Sequence, residues 1–226
     1  MSLMYEHTHT WNPLVGCRHE CVYCYARRVA KRQKHRCIDC YNFVPHEHPE
    51  RLGKRFPKGS QVFVCSMGDI VFASVEYRKK VYEAIERQPE VTFLLQTKNP
   101  VDSFFWDIYN YDIDLPKNAA YGITLETNRR YSQGISDAPD PASRVMGISY
   151  LSYMGYRTYV TVEPIMEFDM NTMKTMIDVI KPEFVYVGYD NHKSNLPEPG
   201  VEQTLELIEE LEKFTEVRKK TIRLEE

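Results

Sequence analysis

Gln61-Val62-Phe63-Val64-Cys65-Ser66-Met67-Gly68-Asp69 runs from an apolar segment with almost no alternation into a short polar turn. A strand that is apolar on both faces has to be covered on both faces, which is the condition of a parallel sheet flanked by helices. The same reading applies to residues 92–97, 120–125, 158–163 and 184–188. Between these runs the pattern is helical: Val75, Lys79, Tyr82 and Ile85, then Val145, Ile148, Leu151 and Met154, then Met173, Met176, Ile177 and Ile180. Asp140-Pro141 supplies an N-cap with proline at N1, Gly155 closes that helix, Asp169 caps the next and Pro182 ends it. Strand then helix, repeated at roughly thirty residues, is a series of βα units.

A first short strand leading into Gly16 brings the count to six, and right-handed crossovers roll such strands into a barrel or part of one. The fold class is therefore α/β, a partial (β/α)6 TIM-like barrel with parallel strands, in one domain over residues 1–226. A helix over 201–214 and a strand over 219–224 close the chain. Residues 36–59, carrying Pro45, Pro49, Pro57, His46 and His48, read as an irregular insertion before the second strand. A loop of that length is functional or pinned by something.

A chain of 226 residues buries roughly 70% of its unfolded surface, enough for a core without staples. The net charge of −3 gives no global attraction to nucleic acid or to an anionic membrane. Charge does cluster: Arg27, Arg28, Lys31, Arg32, Lys34 and Arg36 form a basic run, set against the acidic stretch 202–212. Such a run is ordinarily a solvated helix face; nucleic-acid contact is the other reading. No apolar stretch reaches the length of a membrane span, and residues 1–11 are polar without a signal-type apolar core. The six cysteines are spaced as metal ligands rather than as a disulfide framework, so a reducing cytoplasm is the expected compartment.

Parallel barrels gather their ligands at the C-terminal ends of the strands. The first such end is Gly16-Cys17-Arg18-His19-Glu20-Cys21-Val22-Tyr23-Cys24-Tyr25, a C-x3-C-x2-C loop. Cys17, Cys21 and Cys24 can hold three irons of a [4Fe–4S] cubane and leave the fourth iron open for chemistry. They can equally form a structural zinc loop with His19, His7 or His9. The later strand ends carry Ser66 to Asp69, Thr97-Lys98-Asn99, Thr124-Leu125-Glu126-Thr127-Asn128, Glu163-Pro164 and Tyr189-Asp190-Asn191-His192. A second set, Cys37 and Cys40 with His35 and His46 as preferred partners and His48 nearby, suits zinc or an auxiliary Fe–S cluster, or is a pair of plain reduced thiols. Cys65 reads as a small buried apolar group.

Taken with Thr10-Trp11-Asn12-Pro13, Cys24-Tyr25-Ala26, His48-Pro49-Glu50-Arg51-Leu52, Ser66-Met67-Gly68-Asp69, Gln96-Thr97-Lys98 and Val162-Glu163-Pro164, the cysteine loop resembles the signature of the radical S-adenosylmethionine (SAM) superfamily. Within it, the chain is similar to a small family carried by phages, plasmids and prokaryotic genomes, and more distantly to spore photoproduct lyase, which repairs thymine lesions. The resemblance implies a [4Fe–4S] cluster on Cys17, Cys21 and Cys24, with the backbone of Tyr23 against the adenine of SAM. It implies Ser66, Met67, Gly68 and Asp69 at the methionine amino group, where the superfamily often has Gly-Gly-Glu, and Thr124, Glu126 and Asn128 near the ribose. An external electron donor would drive reductive cleavage of SAM to a 5′-deoxyadenosyl radical that takes hydrogen from a substrate, with nucleic acid or a nucleotide derivative as its extension. Lys98, Glu163, Tyr189 and His192 are the substrate-facing candidates. The competing function is a zinc-stabilised nucleic-acid-binding module without catalysis.

Overall fold

The computed structural model describes residues 8–130 and 134–223. Seven strands form one parallel sheet in which spatial order follows chain order: β1 (Thr8–Trp11), β2 (Gln61–Val64), β3 (Thr92–Thr97), β4 (Ala119–Thr124), β5 (Arg157–Val162), β6 (Phe184–Val187) and β7 (Glu216–Lys219). Each strand pairs with the next, from Thr8 opposite Gln61 to Phe184 opposite Glu216. Strictly sequential parallel pairing carries the same right-handed crossover at each step, so the twisted sheet curls into an open half-barrel.

Helices α1 (Tyr25–Ala30), α2 (Ile38–Asn42), α3 (Val75–Glu86), α4 (Trp106–Tyr109), α5 (Pro141–Tyr153), α6 (Met170–Ile180) and α7 (Val201–Glu212) complete the chain. The pleat divides the strand residues between two cores. Val62, Val64, Phe93, Leu95, Tyr121, Ile123, Val160, Val162, Val185 and Val187 face the helices, while Phe63, Leu94, Ala120, Tyr159, Phe184 and Tyr186 form the concave floor. Gly122 allows that floor to close: a Cβ there would lie 2.3 Å from the Tyr159 ring.

The six expected strands are present, and the closing strand joins the same sheet as a seventh. The closing strand is Glu216–Lys219 and shares only residue 219 with the expected 219–224 segment: residues 220–223 are not strand, and residue 224 lies outside the described residues. Ser74 and Asp140 cap α3 and α5 through hydrogen bonds from the backbone of Tyr77 and Ser143. Asp169 stands at the N-cap of α6 without capping it; its carboxylate is taken by Arg129 and Asn128. One wide turn, Val101–Phe105, leads into α4, an element that the sequence reading did not anticipate. It is tied to α3 by a buried ion pair, Arg78 Nε to Asp107 Oδ2 at 2.9 Å, with the Tyr82 hydroxyl donating to the same carboxylate at 2.7 Å. Among the described residues no helix is long and apolar enough to cross a membrane.

Candidate active site at the C-terminal rim

The cysteine loop leaves the C-terminal end of β1 and is stitched to the turn after β2. Asn12 Oδ1 accepts from Ser66 Oγ at 3.1 Å and from the Met67 amide at 2.8 Å, and Gly16 N–H donates to Met67 O at 2.9 Å. Gly16 and Gly68 form a one-pair parallel bridge, so the residue before Cys17 rides directly on the Ser66 to Asp69 turn. Both positions need glycine. Gly16 has φ +95° and a Cβ there would lie 2.3 Å from the Val44 backbone; one on Gly68 would lie 2.8 Å from Gly16 O.

Cys21 is buried, while Cys17 and Cys24 are half-buried. Cys17 Sγ accepts from His19 N–H and Cys24 Sγ from Arg27 N–H, each at 3.4 Å, and Cys21 Sγ lies 3.1 Å from Ser136 Oγ. The segment 135–137 clamps the loop from outside: Ile135 O accepts from Val22 N–H, while Asp137 N–H and Ser136 Oγ donate to His19 O. Burial pushes the Cys17 thiol well above its ordinary pKa, the charge of Asp69 adding to it, and burial also pushes Cys24 up. Thiols in this setting become thiolates when a bound metal centre offsets their charge.

A zinc site on the loop would draw on His19, His7 or His9. His19 Nε2 instead lies 3.0 Å from Asp69 Oδ2, His9 lies in β1 beside Phe56, and His7 is outside the described residues. Asp69 is buried and also accepts from Thr97 Oγ1 at 2.6 Å, Lys98 N–H at 2.9 Å and Val71 N–H at 3.2 Å. Burial alone would raise its pKa; the bonds from His19, Thr97 and Lys98 outweigh that and hold it below the usual range. Its oxygens are thus spent on joining the cysteine loop to the ends of β2 and β3. Ser66 and Met67 lie at the loop edge, with Met67, Cys17 and Cys24 all packed against the cluster of Ala26, Ala30 and Phe43, and the Tyr25 hydroxyl donates to Ser66 O.

Tyr23 turns inward. Its hydroxyl donates to Glu126 and receives a bond from Lys98 Nζ at 2.7 Å, and Lys98 also pairs with Glu126. Glu126 is fully buried and its other oxygen accepts from Arg144 Nη1 at 2.8 Å. The motif tyrosine, two strand ends and α5 therefore meet at one carboxylate. Thr124 Oγ1 accepts from Gln96 Nε2 at 2.7 Å, and Gln96 Oε1 accepts from Thr161 Oγ1 at 3.1 Å, continuing a polar layer across the concave face. Asn128 lies apart, bonded to Asp169 in both directions.

Glu163 follows Tyr159 and Thr161 on that same side of β5. Its Oε2 is buried without a hydrogen-bond partner, and burial raises its pKa against the opposing charge of Lys220. Tyr189 does not face this space: it is buried among the helices, its hydroxyl 2.7 Å from Thr204 Oγ1 and 3.1 Å from Pro199 O. The His192 side chain is exposed, and its carbonyl accepts from Arg28. Arg27 pairs with Glu20 and Lys31 lies over Tyr41, so several members of the basic run are occupied within the chain.

Cys37, Cys40 and His46 do converge, but their fourth member is His48 and not His35, which is exposed. The turn of chain after α2 brings His46 and His48 back over the cysteines. Reasoning from sequence considered His19 only as a zinc ligand and missed Arg144 and Ser136, because each acts through a fold contact distant in sequence.

A family profile described as "Protein of unknown function (DUF5131)" matches residues 3–179. The chain belongs to that family. An uncharacterized protein of Methanocaldococcus jannaschii is 22% identical over 194 residues, covering 81% of this chain and 71% of that protein. Among solved structures, Streptococcus suis SuiB bound to S-adenosylmethionine aligns with a TM-score of 0.59 and 11% identity, over 95% of this chain and 50% of SuiB. A spore photoproduct lyase variant with bound S-adenosylmethionine and dinucleoside spore photoproduct aligns with a TM-score of 0.54 and 14% identity, over 91% of this chain and 61% of the lyase. The DUF5131 chain thus shares its partial-barrel fold with both and spans about half to three-fifths of their lengths.

Proposed function

We propose that this DUF5131 protein is a radical SAM enzyme. The observation that carries the reading is the three-cysteine loop at the C-terminal end of β1, within a fold shared with two proteins solved with S-adenosylmethionine bound. The donor set fits the group: three sulfurs on one tight loop, two of them accepting backbone N–H bonds of the kind that tunes cluster potential. Cys17, Cys21 and Cys24 would hold the [4Fe–4S] cluster. When bound, the cluster and SAM supply the reductive, radical-forming chemistry, with electrons from an external donor.

The chain's own part is orientation and exclusion of water. Met67, Ser66 and Gly68 border the loop where a ligand on an open iron would lie, and the Gly16–Gly68 bridge sets that border. Asp69 acts here as a positioning residue, fixing His19 and thereby the loop. Lys98 and Tyr23 are held against Glu126, which limits their motion at the rim. Thr124, joined to the polar layer by its bond from Gln96, would approach the ribose. Glu163, with an unbonded buried oxygen, is the group that would accept from a ligand's ammonium or hydroxyl. The substrate class we favour is nucleic acid or a nucleotide derivative, by likeness to the lyase solved with dinucleoside spore photoproduct.

Anaerobic purification with iron and sulfide analysis tests the loop. The expected result is a brown protein with one cluster per chain, lost in air, and lost on changing Cys17, Cys21 and Cys24 to serine. An iron-free protein after anaerobic reconstitution would overturn the reading and favour the zinc-stabilised binding module.

A further inference from the structure

We propose that Cys37, Cys40, His46 and His48 hold a structural zinc ion that fastens residues 37–52 beneath the cysteine loop. One ligand atom from each of the four lies within 4.8 Å of all the others. Cys37 Sγ and Cys40 Sγ each lie 3.4 Å from His46 Nε2, and Cys40 Sγ lies 3.3 Å from His48 Nε2. Zinc bonds of about 2.3 Å to sulfur and about 2.0–2.1 Å to nitrogen at tetrahedral angles give an S to N edge of about 3.6 Å, close to these separations. Edges this short suit one ion, with all four positions filled by protein and none left for substrate.

The outer contacts are those of a metal site. His46 Nδ1 lies 2.8 Å from Val44 O and His48 Nδ1 lies 2.7 Å from Glu50 Oε1, so each ring spends Nδ1–H outward and turns the Nε2 lone pair inward. Cys37 caps α2, where its sulfur accepts from Cys40 N–H at 3.4 Å. Phe43, in the left-handed conformation at φ 58°, ends α2 and reverses the chain toward the histidines. Two thiolates neutralise a divalent ion, and a tetrahedral S2N2 set is a zinc or Fe–S arrangement, of which these short edges fit the single ion.

The site reaches the cysteine loop through backbone. His46 pairs with Val15 and Glu47 with Leu14 in a two-residue antiparallel ribbon that runs directly into Gly16 and Cys17. His48 N–H donates to Pro13 O at 2.7 Å, and Val44 forms the wall against Gly16. A metal here therefore fixes the underside of the first loop, while its own existence does not rest on what that loop binds.

The test is metal analysis of the 226-residue chain, with zinc and then cobalt as probes. One zinc per chain is expected after dialysis, and cobalt in its place should give the visible absorption of a tetrahedral S2N2 site. Cys37→Ser with Cys40→Ser should lose the metal, His48→Ala should weaken zinc at least ~10-fold, and His35→Ala should leave it unchanged. A triple serine variant of Cys17, Cys21 and Cys24 should keep its zinc, which separates this site from the cluster reading. If the Cys37/Cys40 variant fails to fold, chelation of the wild-type protein should expose residues 36–59 to protease, and zinc alone should restore protection. Absent zinc with no cobalt spectrum, zinc retained in the double variant, or digestion unchanged by chelation would each overturn the proposal.

Discussion

Glu163 is the residue whose setting is least explained by the fold. A carboxyl with a raised folded-state pKa favours the native state most below its unfolded pKa, and that advantage is lost as pH rises through the folded value. Urea midpoints for wild type and Glu163→Gln should therefore differ least near pH 4, and the difference should move in the variant's favour as pH rises toward neutral. The same variant should lose SAM turnover. Parallel stability curves with full turnover would remove Glu163 from the site. Glu126→Ala strips the counter-charge from buried Arg144 and should cost about 3–5 kcal/mol in denaturant unfolding. The sequence made the three loop cysteines legible because their spacing is local. It did not distinguish His48 from His35, since both are near Cys37 and Cys40 in the chain and only the reversal at Phe43 selects one. Tyr189 looked like a rim residue from its place after a strand, yet its hydroxyl finds Thr204 in α7 and draws the ring into the outer core.

At the scale of elements, strands buried on both faces announced themselves as unbroken apolar runs, and β2 to β6 lie within a residue of their expected positions. The wide turn and α4 did not, because nine residues of dense aromatics carry no helical stripe. What holds them is Asp107 against Arg78 and Tyr82, a contact between elements that no local pattern encodes. Asp107→Ala should destabilise by about 3–5 kcal/mol, seen as a lower urea midpoint; a change under 1 kcal/mol would mean the pair contributes little. The Gly16 to Gly68 bridge makes a second prediction. Gly16→Ala forces a side chain into the Val44 backbone in a left-handed conformation, costing roughly 1–3 kcal/mol from conformation alone. Iron bound per chain after reconstitution should fall with it, whereas Gly53→Ala, where nothing lies within 4 Å, should bind iron as wild type does.

For the molecule as a whole, sequential parallel pairing gives an open half-barrel whose seven strands raise their polar ends on one rim. The cysteine loop, Glu126 and Glu163 stand there together, although they follow three different strands. The zinc clamp proposed beneath that rim would make the first loop part of a preformed surface rather than a free segment. The measurement that bears most directly on this account is 5′-deoxyadenosine formed when anaerobically reconstituted protein is incubated with SAM and a strong reductant. The account predicts slow accumulation of 5′-deoxyadenosine with methionine, abolished by serine at Cys17, Cys21 and Cys24 and retained when only His35 is changed. Cluster-loaded protein that neither binds nor cleaves SAM would contradict it.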